Sequence, residues 1–209
     1  SINNHLNELG VLFPYMPIHF LLFEEMDLPA LVFTSANLKE EPVIADNMKA
    51  QRKLEHLVDA FLFHNREIYN RSDDSVTRVV AEHPQIIRRS RGYVPNPVDL
   101  TFDASGILAT GAELKNTFTL GTGKQAIVSQ HIGDLKSYET YEFFTSSMKR
   151  FQELFRQNPR LIASDLHPDY LSTKFARQFQ SRTTANEQHR WIQVQHHHAH
   201  IASCMAENG

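Results

Sequence analysis

Apolar positions change their spacing along this chain and mark out two regions. Downstream of residue 106, the run Gly106–Ala112 predicts a strand. Thr117–Leu120 and Gln125–Gln130 predict a hairpin that turns at Gly121–Lys124. Phe144, Met148, Phe151 and Phe155 then recur at helical spacing, which gives a long helix one apolar face. Asn158–Pro159 ends that helix, because the residue before a proline is pushed out of the helical region. A strand over Leu161–Ser164, a helix from Pro168 to about Phe179, a strand over Trp191–Gln195 and a final helix to about Asn208 complete the series.

Upstream the pattern is less regular. Pro29–Thr34 is a short apolar run of the kind found in buried strands. Asp46 is placed to cap a helix carrying Leu54, Leu57, Val58 and Phe61. Val76–Val80 and Gln85–Arg88 predict two more strands. Between the regions, residues 95–106 hold two prolines and a late glycine without periodicity, and read as a linker. The expected organisation is therefore a mixed α and β domain over 1–94, a linker over 95–106 and a second domain over 107–209. The first reads as the tail of a larger domain. The second, with the order βββαβαβα, is similar to one ribonuclease-H-like half of the actin-like ATPase fold.

Composition narrows the class. The chain has 209 residues, of which 41% are hydrophobic and 22% charged, as in soluble globular proteins with a true core. A net charge of −3 gives no electrostatic footprint for non-specific nucleic-acid binding. Its single cysteine, Cys204, excludes an internal disulfide framework and fits a reducing cytoplasm. No apolar run approaches the roughly 18 residues a membrane helix needs, so no membrane association is expected.

The candidate chemistry is concentrated near the end of the chain. Four of the twelve histidines fall between residues 196 and 200. His196 and His200 are one helical turn apart, a spacing that suits two imidazoles on one metal ion, although a solvated polar helix start would look the same. Ser35 and Asn37 follow the Pro29–Thr34 run. Two apart in extended chain, they project to one side and could bond a phosphate or base, or simply form a turn. Arg88, Arg89 and Arg91 form a local basic cluster suited to phosphate, or are ordinary surface charge. Gly111–Thr117 marks a bend after the first strand of the second region, where Lys115 would add a point charge. Asp165 and His167 sit at a strand end, as caps or as ligand contacts. Cys204 is expected to be a small buried residue rather than a nucleophile.

In combination these motifs resemble a known family. Thr34-Ser-Ala-Asn-Leu-Lys-Glu-Glu-Pro42, His64-Asn-Arg66, Arg71-Ser-Asp-Asp-Ser-Val76 and Arg88-Arg-Ser-Arg-Gly-Tyr93 resemble the C-terminal half of a YrdC-like domain. Gly111-Ala-Glu-Leu-Lys-Asn116, Ser129-Gln-His-Ile-Gly-Asp-Leu135, Asp165-Leu-His-Pro-Asp-Tyr170 and Gln195-His-His-His-Ala-His200 resemble the start of a threonylcarbamoyl-transferase-like domain. The joint pattern is similar to the HypF-type carbamoyltransferases of [NiFe]-hydrogenase maturation.

That resemblance implies carbamoyl phosphate and ATP as substrates and a carbamoyl-adenylate intermediate. The carbamoyl group would pass to the C-terminal cysteine of a HypE-type maturation protein, on the route to the cyanide ligands of the hydrogenase iron. It also implies that Ser35 and Asn37 touch nucleotide and that one of Arg88, Arg89 and Arg91 faces phosphate. His196 and His200 would hold a divalent ion, zinc or iron, with a third ligand outside this chain. Set against the family, the chain reads as a segment that starts within the YrdC-like domain and stops within the transferase domain, with little or no turnover alone. The competing reading is an RNA-binding YrdC-like module related to tRNA threonylcarbamoylation, against which the acidic balance counts.

Overall fold

The computed structural model describes residues 7–39, 41–181 and 189–208; Glu40, within the first quoted motif, lies outside them. The chain divides into two units, Ser1–Thr34 and Ser35–Gly209.

The first unit contains a helix that the apolar spacing did not signal, α1 (Pro17–Glu25). Its residues are apolar on nearly every side, so no periodic stripe announces it. Pro17 occupies the first turn, where a missing N–H costs nothing. His19 is the buried residue of α1, with Tyr15 and Phe33 edge-on to its ring at 4.9 and 5.3 Å. Pro29–Thr34, expected as a strand, is extended but unpaired among the described residues, and Val32 is 77% exposed. An apolar run becomes a strand only where a neighbour takes its N–H and C=O groups, and no described residue pairs with it as a strand.

In the second unit, α2 (Asn47–Leu54) begins where expected, and the Asp46 carboxylate accepts from Lys49 N at 2.6 Å. It is shorter than expected. Glu55 closes it, so Leu57, Val58 and Phe61 lie beyond the helix. The hairpin β1 (Val76–Val80) and β2 (His83–Arg88) turns on Ala81 and Glu82. Both have positive φ, +49° and +67°, the backbone that a two-residue hairpin turn demands. Ser75 ties this region together, accepting from Ser90 N and donating to Arg91 O, both at 2.8 Å.

A six-stranded sheet follows. Its strands are β3 (Val98–Asp99), β4 (Ile107–Ala109), β5 (Thr119–Thr122), β6 (Gln125–Val128), β7 (Leu161–Asp165) and β8 (Arg190–Val194). Their order is β3-β6-β5-β4-β7-β8. β4, β7 and β8 run parallel, while β3, β6, β5 and β4 pair antiparallel. β3 falls inside 95–106, so part of the segment that reads as a linker is an edge strand of this sheet. The helices are α3 (Tyr138–Leu154), α4 (Leu171–Ser181) and α5 (His196–Asn208). α4 starts three residues after Pro168, because residues 165–170 form a capped turn instead of a first helical turn.

Alternation puts Leu108, Leu120, Ile127 and Ile162 on one face of the sheet, against Phe143, Phe144, Met148 and Phe151 of α3. Phe118 meets Phe144 and Phe151 edge-on at 6.1 and 5.1 Å. Gly121 is required for closeness, since a Cβ there would lie 2.1 Å from Ala104 O. The same unit includes the upstream motifs. Arg71 lies over the Phe143 ring at 4.7 Å, Gln130 Nε2 donates to Asn70 Oδ1 at 3.2 Å, and Lys53 bridges Glu41 and Glu139 at 2.6 and 3.1 Å. Among the described residues no helix is long and apolar enough to cross a membrane.

Phe144 is fully buried, with rings of Phe118, Tyr141 and Phe175 around it. Phe144→Ala is expected to cost about 3–5 kcal/mol, read as a shift of the urea unfolding midpoint.

Candidate functional site

The parallel strands β4, β7 and β8 end on one edge of the sheet, and the 110–116 bend, Asp165 and His196 follow them there. Open α/β sheets bind ligands at this carboxyl edge, where side chains leave the strands into the following turns. After β4 the chain bends at Gly111, whose φ of +68° suits glycine and whose added Cβ would sit 2.1 Å from Thr117 O. Buried Asn116 closes the bend by donating to Thr110 O and Ala112 O at 2.9 and 2.6 Å. Lys115 N and Asn116 N are bonded within the protein, to Asp134 Oδ1 at 2.7 Å and Gly133 O at 2.9 Å. Those two amides are thus not turned toward a ligand, while the Lys115 side chain is exposed.

Asp165 ends β7 directly opposite Val194 of β8, and two residues later His196 opens α5. The pairing brings the Asp165 carboxylate to the imidazole, with Oδ2 2.7 Å from His196 Nδ1. A carboxylate only accepts, so Nδ1–H is the donor and the Nε2 of a neutral ring carries a lone pair. Asp165 Oδ1 accepts from His167 N at 2.9 Å, and its backbone oxygen accepts from Thr173 Oγ1 at 3.0 Å. On the next turn of α5, His200 turns its Nε2 to within 3.1 Å of His196 Nε2, with the two rings nearly perpendicular. The helical spacing therefore does converge two imidazole nitrogens on one point. They form a pair, not a full shell. Among the described residues no group of three or more His, Cys, Asp or Glu could hold a metal ion. His197 and His198 are exposed.

The arginines separate by their partners. Arg89 Nη2 donates to Asn96 O at 2.7 Å, and Arg91 pairs with Asp74 at 3.3 Å while donating to Ser72 O at 3.0 Å. Arg88 is exposed at the end of β2. It lies within electrostatic reach of His131, and so does Lys115. Two residues from motifs far apart in the chain thereby act electrostatically on one half-buried imidazole. Burial pushes the His131 pKa down, Arg88 adds to that, and Asp73 and Asp134 oppose it.

Ser35 and Asn37 are adjacent, and the Ser35 hydroxyl donates to Asn37 Oδ1. Asn37 Nδ2 donates to Leu38 O and Glu41 O, both at 3.0 Å, so its amide closes a local turn. His167 accepts from Asp169 N at 3.2 Å and stacks on Tyr170 at 4.3 Å. Cys204, expected to be buried, is exposed, because α5 buries no residue among those described. Sequence reasoning missed Glu113, a buried carboxylate that accepts from Leu171 N at 2.7 Å and caps α4. No local signal could reveal a cap supplied from 58 positions away.

Comparison with known proteins places this arrangement. A family model described as the HypF Kae1-like domain matches residues 103–207, half of the chain. This chain belongs to the HypF family. A second model, that of the Sua5, YciO and YrdC proteins, described as telomere recombination, matches residues 1–90. Carbamoyltransferase HypF2 of Cupriavidus necator is 41% identical over 96% of this chain and 26% of its own length. Carbamoyltransferase HypF of Synechocystis is 40% identical over 96% of this chain and 25% of its own. The chain thus spans about a quarter of the length of these HypF relatives. Among solved structures, full-length HypF in a phosphate- and nucleotide-bound form matches with a TM-score of 0.85 and 47% identity. That match covers 95% of this chain and 30% of the other. HypF of T. kodakarensis matches with a TM-score of 0.76 and 43% identity, over 83% and 22%.

His131 carries a pH prediction for this HypF segment. Its folded pKa lies below the ordinary 6.5, so between the two values the unfolded chain binds more protons. Stability is therefore held above about pH 6.5 and declines as pH falls toward the folded value. His131→Asn is expected to flatten that part of the pH–stability curve, measured as urea midpoints from pH 5 to 8.

Proposed function

We propose that this chain is the part of a carbamoyltransferase where a nucleotide-activated carbamoyl group is formed and handed on. The observation carrying this reading is the His196–His200 pair, anchored by Asp165 on the same sheet edge as the 110–116 bend. Relatives named carbamoyltransferases and a solved relative with phosphate and nucleotide bound support it. In this reading, carbamate released from carbamoyl phosphate attacks ATP, pyrophosphate leaves and carbamoyl-adenylate forms. The carbamoyl carbon then moves to the C-terminal cysteine sulfur of a HypE-type maturation protein, and AMP leaves. Dehydration there yields the cyanide ligands of [NiFe]-hydrogenase.

The residues divide by what they offer. Ser35 and Asn37 lie against the nucleotide, the exposed Ser35 hydroxyl keeping lone pairs for it. Arg88 and Lys115, both within electrostatic reach of His131, supply positive charge to phosphate, whereas Arg89 and Arg91 have protein acceptors. The donor set of two imidazoles, one with its second nitrogen on a carboxylate, fits zinc or iron as two ligands of a shell. A divalent ion held by His196 and His200 would offset phosphate charge and orient the phosphate for transfer. Residues 1–94 form the YrdC-like part, 95–106 the connection, with Val98–Asp99 paired to the edge of the following sheet, and 107–209 the transferase part. The site of action is the cytoplasm, which suits a chain with one unpaired cysteine. A net charge of −3 weighs against the RNA-binding alternative.

In the intact protein, His196→Ala and His200→Ala are each expected to abolish metal uptake, read by elemental analysis; unchanged metal content in either would sink the ligand assignment. Arg88→Ala or Lys115→Ala should weaken ATP binding by about 10- to 100-fold in calorimetric titration, the worth of one charge-assisted contact. A complex with a HypE-type partner that forms without RNA completes the test.

A further inference from the structure

We propose that Asp165 is the positioning residue of the histidine pair, fixing which nitrogen of His196 is free to bind. This rests on the metal-pair reading above and deepens it. The Asp165 side chain is only 7% exposed, whereas the His196 side chain is 51% exposed. The carboxylate is therefore the rigid member and the imidazole the one that needs holding. His200 also touches the ring, but it is itself exposed and α5 buries none of its described residues, so the buried group holding the imidazole is Asp165.

Asp165, by contrast, is secured on every side. β7 and β8 hold its backbone in register with Val194, Thr173 Oγ1 bonds its carbonyl, and Oδ1 caps His167 N. The strand next to it is braced as well, by Trp191 Nε1 donating to Ser164 Oγ at 2.9 Å. The remaining oxygen, Oδ2, points at His196 Nδ1.

The consequence is a chosen tautomer. With the proton on Nδ1, the Nε2 lone pair of His196 faces Nε2 of His200 at 3.1 Å. A cation seated between the rings would be met by the Nε2 lone pair of His196 and, with the His200 proton on Nδ1, by the Nε2 lone pair of His200. Had the His196 proton sat on Nε2, one of the two donors would be lost. An asparagine at 165 keeps the shape and can still cap His167 N through its Oδ1. The amide it then turns to His196 donates, which forces the proton onto Nε2. A purely structural cap would not notice that change.

The test is Asp165→Asn in the intact protein, with zinc affinity measured by competition against a chromophoric chelator, beside wild type and His200→Ala. The expected result is about 10- to 100-fold weaker zinc binding in Asp165→Asn, the usual consequence of removing a carboxylate behind a histidine ligand. The thermal unfolding midpoint of the metal-free protein should stay unchanged. Unaltered zinc affinity in Asp165→Asn overturns the positioning role while leaving the metal reading intact. Wild type that binds no zinc or iron, or His200→Ala that binds as wild type does, overturns the metal reading itself and this role with it. Should Asp165→Asn not fold, Asp165→Glu reads the same point. It keeps a carboxylate but carries it one methylene too far, so weakened zinc binding supports the role and unchanged binding overturns it.

Discussion

Everything at the candidate site depends on the register between β7 and β8. Parallel pairing sets Asp165 across from Val194 and leaves a single residue, Gln195, before His196. Sliding β8 by one position would turn its side chains to the opposite face and carry the start of α5 away from the carboxylate. The register is set by burial. Ile162 is fully buried against α3 and α4, while Trp191 packs half-covered beside it and sends its indole N–H to Ser164. A hydrophobic core on one face of the sheet thus determines, several residues away, which polar groups meet at its edge.

The same logic explains what was readable from the amino acids. β7, α3 and the β5–β6 hairpin carry their own periodicity, and their core residues Leu120, Ile127, Phe144, Met148 and Ile162 fall where alternation and helical spacing put them. The His196–His200 convergence was legible for the same reason, since it needs only a helix. What escaped depended on distant partners. Pro29–Thr34 has strand-like composition but pairs with no strand among the described residues, and Val98–Asp99 looks like linker until β6 offers it an edge. α1 escaped because it is apolar all round, and the β1–β2 turn because Ala81–Glu82 lacks the usual Asn-Gly signature for positive φ.

Charge placement follows a similar division. Three arginines in one motif look interchangeable on paper, yet two of them spend their donors on Asn96 O, Ser72 O and Asp74. Arg88 is set apart because it is exposed at the end of β2 and acts electrostatically on His131, as Lys115 does from a distant motif. Membership of the HypF family accounts for the motifs; the geometry distinguishes which members of each motif are spent on architecture.

Glu113 links the bend after β4 to the start of α4. Its carboxylate leaves the bend after β4 and holds the first free amide of α4, whose Thr173 in turn grips the carbonyl of Asp165. The bend, the helix and the histidine anchor are therefore joined in series by two hydrogen bonds. Removing the Glu113 carboxylate would therefore unpin the first turn of α4, the same turn whose Thr173 hydroxyl holds the Asp165 carbonyl.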